Sequence, residues 1–199
     1  SNLRHAGGVR VDHAMGLQRL WVVPEGMGPA EGAYLRYPVE DLLRLLALES
    51  HRHRAVVIGE DLGTLPEGFH GRMERAGILG MRVLWFEQEG DGRFRPPRAW
   101  AREAVAMTTT HDLPTVAGWW HGHDIEWRER LSLFPEPGTA ERERERRQAD
   151  RGALWTAFLE SGAATGDQPA PDDPGPVLDA ALAHVGGAAC RLAILPAED

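Results

Sequence analysis

The stretch VVIGEDLG at residues 56–63 decides the fold class, because an apolar run ends directly in two carboxylates, Glu60 and Asp61. A continuous Val-Val-Ile run predicts a strand that is covered on both faces. An amphipathic helix is predicted just before it, at residues 38–53, where a proline occupies a typical helix-start position. A helix followed by a buried strand predicts a parallel β/α architecture.

Strand-like and helix-like segments alternate along the rest of the chain. Short helices are predicted before Gly77 and after a Pro/Asp-rich loop at residues 164–176, and a longer helix is predicted with Thr139 as its N-cap. Further strands are predicted at residues 8–12, 80–87, 104–110 and 190–195. The predicted fold class is therefore α/β.

Composition and charge restrict the class of function. The 199 residues are 42% hydrophobic and 26% charged, which is typical of a soluble globular protein. The net charge of −8 disfavours nucleic acid or an anionic membrane as a partner. One cysteine, Cys190, allows neither an internal disulfide nor a CxxC zinc pair. The histidine-rich stretches HRH and HGHD lack a third ligand at useful spacing. We therefore expect a cytoplasmic protein with no metal site.

Acidic residues follow three of the predicted strands. Asp12 ends GVRVD, Glu60 ends VVIGE, and Asp112 follows VAMTTTH. Because parallel strands end in one layer, we expect the three carboxylates to converge on one rim. Mutual repulsion keeps one such acid protonated beside an ionised one, which is the arrangement that glycoside cleavage requires.

Two cationic or hydrogen-bonding residues flank these acids. Arg10 lies two residues before Asp12, so it shares a strand face with it and favours its ionised form. His111 directly precedes Asp112. The alternative interpretation is structural, since an acid at a strand end is often a helix cap or part of a turn. Three acids at successive strand ends favour a catalytic site.

Four blocks of the chain resemble consecutive blocks of the 4-α-glucanotransferases, also called amylomaltases or disproportionating enzymes. They are GVRVDHAMGLQRLWVVPEG, VVIGEDLGTLPEGF, GILGMRVLWFE and MTTTHDLPTVAGWW, in the family's order. The resemblance implies part of a (β/α)8 TIM barrel, roughly strands 4 to 8 with their helices. It also implies a cofactor-independent enzyme that moves segments of α-1,4-glucan between maltooligosaccharides.

The resemblance assigns a role to each residue of the predicted site. Asp12 matches the catalytic nucleophile, Glu60 the general acid/base, and Asp112 the third carboxylate that holds sugar hydroxyls. Arg10 and His111 match hydrogen-bond donors around the same sugar. Where many relatives read Thr-His-Asp-Asn-Asp, this chain reads Thr-His-Asp-Leu-Pro, which leaves the contacts with the acceptor open.

Tryptophans offer further candidates for sugar binding. Trp21 is predicted to contact substrate, whereas Trp85, Trp119 and Trp120 are expected in the core, the commoner place for this residue type. The Gly/Pro-rich residues 24–34 predict either a mobile loop beside the acceptor or an ordinary connection.

Two alternative functions remain open from the sequence. The first is a hydrolase of the α-amylase clan, which shares the acid pattern. The second is a non-catalytic glucan-binding module, which would need aromatic residues but not three acids at strand ends.

We expect the chain to be a fragment of a catalytic barrel. Residues 1–7 are interpreted as an expression-tag remnant and lead-in, residues 8–135 as strands carrying the acids, residues 136–189 as a helical insertion and loop, and residues 190–199 as the last strand. A complete barrel takes about 250 residues and eight strands. We therefore predict that the fragment alone is inactive and that its exposed strand edges favour self-association or local rearrangement.

Overall fold

A computed structural model describes residues 2–199. Within these residues the chain forms seven strands and six α-helices. The strands are β1 (Gly8–Val11), β2 (Arg19–Val22), β3 (Ala33–Arg36), β4 (Val56–Gly59), β5 (Gly80–Val83), β6 (Ala104–Met107) and β7 (Leu192–Ile194). The helices are α1 (Val39–His53), α2 (Phe69–Arg75), α3 (Val116–His121), α4 (His123–Arg130), α5 (Thr139–Ser161) and α6 (Gly175–Gly186).

The described residues divide into two compact units. The first contains the described chain up to Met81, together with Glu103–Val105. The second contains Arg82–Arg102 and Ala106–Asp199. Both units have an apolar core of their own.

The first unit is built on the parallel pair β1 and β4. The register runs from Gly8 opposite Val56 to Val11 opposite Gly59, and Ile58 bridges in parallel to Leu79 on its other side. Helix α1 begins after Pro38, as predicted, and buries Leu43. The strands predicted at residues 8–12 and in the Val-Val-Ile run, and the helix predicted at residues 38–53, are confirmed.

An antiparallel hairpin was not predicted from the sequence. Strands β2 and β3 pair from Arg19 opposite Arg36 to Val22 opposite Ala33, and a short 3₁₀ helix at Pro29–Glu31 lies in the connection. All four residues of β3 are exposed, so the sequence lacks the alternation of apolar and polar residues that marks a half-buried strand. The predicted loop at residues 24–34 thus contains the 3₁₀ helix and the start of β3.

The second unit is mainly helical. Its core gathers Trp120, Leu154, Phe158 and Val177, which are fully buried. The predicted N-cap of α5 was wrong, because Gly138 occupies the cap with φ of 78° and Thr139 is the first helical residue. Glycine has no Cβ and adopts this left-handed conformation without strain.

The remaining strands β5, β6 and β7 form one sheet in that order. Strand β5 is shorter than predicted, since a 3₁₀ turn at Leu84–Phe86 follows Val83. All of β7 is exposed. None of the helices within residues 2–199 is long and apolar enough to cross a membrane.

Candidate active site

The carboxyl ends of β1 and β4 set the positions of Asp12 and Glu60. Each acid directly follows a residue of the register pair Val11 and Gly59, and neighbouring strands lie about 4.8 Å apart. The N–H of Glu60 donates to the carbonyl of Val11 at 2.9 Å, and the N–H of Ala14 donates to the carbonyl of Glu60 at 2.8 Å. The structure therefore brings the backbones of these two predicted site residues together.

Two backbone donors hold the carboxylate of Glu60. Its Oε1 accepts the N–H of Leu62 at 2.7 Å, and its Oε2 accepts the N–H of His13 at 2.8 Å. His13 has a φ of 45°, which is uncommon for a residue other than glycine. The half-buried carboxylate is thus oriented by donors from the ends of both strands.

The carboxylate of Asp12 is paired with Arg10. Nη1 of Arg10 donates to Oδ1 of Asp12 at 2.6 Å. The side chain of Asp12 is 75% exposed, whereas that of Arg10 is 32% exposed. An ion pair this exposed contributes little to stability, and its contact orients the Asp12 carboxylate.

Asp112 and His111 lie in the second unit, after β6 and a buried run of three threonines. The N–H of Asp112 donates to Oγ1 of Thr110 at 3.3 Å. Nε2 of His111 lies 3.3 Å from Oδ2 of Asp112, and both side chains are exposed. The convergence of Asp112 with the acids of the first unit stays a prediction.

Trp21 lies on the hairpin and is 46% exposed. Its Nε1–H donates to the carbonyl of Pro29 at 3.1 Å, and its ring meets Tyr34 edge-on at 4.9 Å between centroids. The guanidinium of Arg19 lies 4.3 Å from the centroid of the Tyr34 ring. A Cβ at Gly32 would lie 2.5 Å from the Trp21 indole nitrogen, so a glycine is needed there. Trp21 and Tyr34 therefore form an exposed aromatic surface that these contacts hold in place.

Trp85, Trp119 and Trp120 contribute to the core, as predicted. Trp119 and Trp120 are buried, and Trp85 stacks on Trp119 with centroids 4.7 Å apart. Within residues 2–199, no group of three or more His, Cys, Asp or Glu side chains is arranged to hold a metal ion.

Sequence reasoning did not predict the burial of Asp61. Its side chain is fully buried, although it directly follows the half-buried Glu60. Side chains alternate between the two faces of an extended segment, so the adjacent pair Glu60 and Asp61 already indicates that one acid points inward.

Comparison with known proteins identifies the family. The family model described as 4-alpha-glucanotransferase matches residues 1–199. The chain belongs to the 4-alpha-glucanotransferase family. It is 41% identical to a 4-alpha-glucanotransferase of Mycobacterium tuberculosis strain H37Rv, over 99% of this chain and 27% of the relative. It is 39% identical to one of Haemophilus influenzae, over 67% of this chain and 19% of the relative.

Solved structures of amylomaltases share the fold. The crystal structure of amylomaltase from Corynebacterium glutamicum matches 97% of this chain and 28% of its own, with 33% identity and a TM-score of 0.85. An amylomaltase from Streptococcus agalactiae, in complex with acarbose, matches with a TM-score of 0.62 at 16% identity, which supports the fold alone. The predicted α/β class, as part of a (β/α)8 barrel, is confirmed. The chain spans about a quarter of the length of its matched relatives.

Proposed function

We propose that the full-length protein is a 4-α-glucanotransferase, which moves segments of α-1,4-glucan from a donor chain to an acceptor sugar. The observation that supports this proposal most strongly is the register of β1 and β4, after which Asp12 and Glu60 follow adjacent strands at the same end. Retaining glycosidases hold their two carboxyl groups about 5–5.5 Å apart. Adjacent parallel strands suit that separation.

In the first step, an oxygen of the Asp12 carboxylate attacks the anomeric carbon of the donor. The bond from that carbon to the glycosidic oxygen breaks, and Glu60 transfers a proton to the departing oxygen. Arg10 aligns the Asp12 carboxylate through the 2.6 Å hydrogen bond from its Nη1 to Oδ1. The product is a glycosyl ester on Asp12.

In the second step, a hydroxyl group of the acceptor sugar attacks the anomeric carbon of this ester. Glu60 takes the proton of that hydroxyl, and the Asp12 carboxylate departs. Asp112 and His111 are proposed to hold hydroxyl groups of the sugar at the cleavage site. Trp21, exposed on the hairpin, is proposed to stack against a glucose ring. Both steps proceed without a cofactor in this proposal.

A hydrolase of the same clan is the nearest alternative, because water could replace the acceptor sugar. Incubation of the full-length protein with maltotriose separates the two functions. A ladder of longer maltooligosaccharides supports transfer, whereas glucose and maltose alone would support hydrolysis. Asp12→Asn should abolish either reaction, while a non-catalytic module would show neither before substitution.

We further propose that the chain described here is inactive alone and that the full-length enzyme is cytoplasmic. The exposed strand β7 and the terminal position of β1 in its two-stranded sheet offer open edges for self-association. Sedimentation of the 199-residue chain should show a dimer or larger species. A monomer at all concentrations, with both edges exposed, would contradict the self-association proposal.

A further inference from the structure

We propose that Asp61 is a positioning residue that fixes the direction of the Glu60 carboxyl group. The proposal rests on the proposed function, in which Glu60 exchanges a proton with the sugar. Glu60 and Asp61 are adjacent in the chain but differ in environment, because the Glu60 side chain is half-buried and the Asp61 side chain is fully buried.

The buried carboxylate of Asp61 is held from two directions. Its Oδ1 accepts the N–H of Met81 at 2.7 Å. Its Oδ2 lies 2.9 Å from Nδ1 of His70, whose side chain is 54% exposed. A buried carboxylate is retained only where such partners replace the water it has lost. Asp61 therefore connects the segment after β4 to helix α2 and to the start of β5.

The Asp61 carboxylate packs closely against Gly80. A Cβ at Gly80 would lie 2.6 Å from Oδ2 of Asp61 and 3.4 Å from Oδ1, so the carboxylate lies directly against the backbone of this glycine. The N–H of Gly80 donates to the carbonyl of Glu103 at 3.1 Å, which holds the glycine in place. The position of Asp61 is thus fixed by contacts made far from it in sequence.

The backbone on both sides of Glu60 is consequently anchored. On one side, the N–H of Gly59 donates to the carbonyl of Leu79 at 2.8 Å. On the other side, Asp61 is anchored by Met81. The bond from the Leu62 N–H to Oε1 of Glu60 spans Asp61, so it requires the backbone conformation that Asp61 fixes. Loss of the Asp61 anchor should misdirect the acid/base group without removing it.

A leaving group that needs no protonation distinguishes positioning from general stabilisation. When the donor is α-maltosyl fluoride, Asp12 attacks the anomeric carbon, the carbon–fluorine bond breaks, and fluoride departs as an ion. This step does not use the proton of Glu60. A variant with a misdirected Glu60 should therefore lose glycosyl transfer from maltotriose but retain the initial burst of fluoride release.

The experiment uses the full-length enzyme as wild type and as Asp61→Asn, with Glu60→Gln as reference and Asp41→Asn, an exposed helical change, as control. We expect D61N to lower kcat for maltotriose about tenfold to a hundredfold, the cost of a small misplacement of a catalytic group. KM and the fluoride burst should change by less than about threefold, because fluoride departs without the general acid catalysis that contributes about a hundredfold or more to glycosidic cleavage. E60Q should show the same pattern with a larger loss, and D41N should show no loss.

Equal loss on both donors in D61N, or no loss on either, would overturn the positioning role. If D61N fails to fold, His70→Gln decides the question, because it removes one partner of Asp61 from an exposed position. A loss confined to maltotriose supports the proposal, whereas an equal loss or none overturns it. If E60Q itself retains full activity on maltotriose, the proposed function fails rather than the role of Asp61.

Discussion

The backbone N–H of His13 donates a 2.8 Å hydrogen bond to Oε2 of Glu60, although 47 residues separate them. The residue after Asp12 therefore orients the other candidate catalytic acid. This contact depends on the parallel register of β1 and β4, in which Val11 lies opposite Gly59. The pairing of two short strands is thus sufficient to couple the two acids.

Replacement of Arg10 tests the electrostatic role assigned to it. Arg10→Met removes the cation 2.6 Å from Oδ1 of Asp12, so the carboxylate becomes a less oriented nucleophile. We expect kcat of the full-length enzyme to fall about tenfold to a hundredfold on maltotriose. Arg10→Lys retains the charge and should recover part of the rate. Equal rates for Arg10→Met and wild type would contradict the role.

Burial of His184 predicts a dependence of stability on pH. His184 is 1% exposed, and its imidazole contacts the rings of Trp100 and Phe158 edge-on. Burial lowers its pKa to about 4 from the ordinary value of 6.5. The unfolded chain therefore binds a proton below pH 6.5 that the folded chain does not bind until about pH 4. The contribution of neutral His184 to the free energy of unfolding is therefore complete above pH 6.5 and is lost as the pH falls toward 4.

Urea unfolding of the 199-residue chain at pH 7 and pH 4.5 measures this effect. The free energy of unfolding should fall between pH 7 and pH 4.5 in both proteins, and we expect the fall to be about 2–3 kcal/mol smaller in His184→Gln than in wild type. Each unit of pKa difference corresponds to about 1.4 kcal/mol. His51→Gln, at an exposed position of α1, should retain the wild-type dependence. An unchanged dependence in His184→Gln would show that another group is responsible.

The close packing of Gly80 on Asp61 predicts a site that rejects alanine. A Cβ at Gly80 would lie 2.6 Å from Oδ2 of Asp61, and the carboxylate is held by Met81. Gly80→Ala should lower the free energy of unfolding by about 1–3 kcal/mol. Gly90 has no atom within 4 Å of such a Cβ, so Gly90→Ala should be neutral or slightly stabilising. Similar values for the two variants, measured by urea unfolding, would contradict the packing argument.

Arg147 forms a bidentate ion pair with Asp124 within the second unit. Its Nη1 and Nη2 donate to the two carboxylate oxygens of Asp124 at 2.8 and 2.7 Å, and Nη1 also donates to the carbonyl of Trp119 at 2.6 Å. Arg147→Met leaves Asp124 without this partner, which should cost about 3 kcal/mol. Arg146 is 78% exposed, and Arg146→Met should cost less than about 0.5 kcal/mol. Thermal unfolding that gave equal losses would contradict this account.

Local pattern was sufficient to predict the frame of the first unit. Helix α1 and strand β4 follow from apolar periodicity and a proline start, which depend on neighbouring residues alone. The hairpin was missed because its strands have no alternation of apolar and polar residues. Leu20, Trp21, Tyr34 and Leu35 are all exposed. Its strands are joined by ten residues and lack the tight-turn signal that identifies shorter hairpins.

In the candidate site, features that depend on neighbouring residues were predicted, whereas contacts between elements far apart in sequence were not. The positions of Asp12 and Glu60 at adjacent strand ends were predictable, because each follows a recognisable strand. The anchoring of Asp61 by Met81 and His70 was not, since both contacts come from separate elements. The cap of α5 was misassigned to Thr139 because glycine is only modestly enriched at N-caps, whereas threonine is among the common N-cap residues.

Covalent labelling tests the central claim most directly. The full-length Glu60→Gln variant is incubated with α-maltosyl fluoride. Asp12 should form the glycosyl ester with this donor, and the ester should accumulate because the variant lacks the base that assists its breakdown. The protein is then quenched, digested and analysed by mass spectrometry. We predict one added maltosyl group on the peptide that contains Asp12, absent when Asp12→Asn is also present. A maltosyl group on another residue, or labelling that persists without Asp12, would contradict the account.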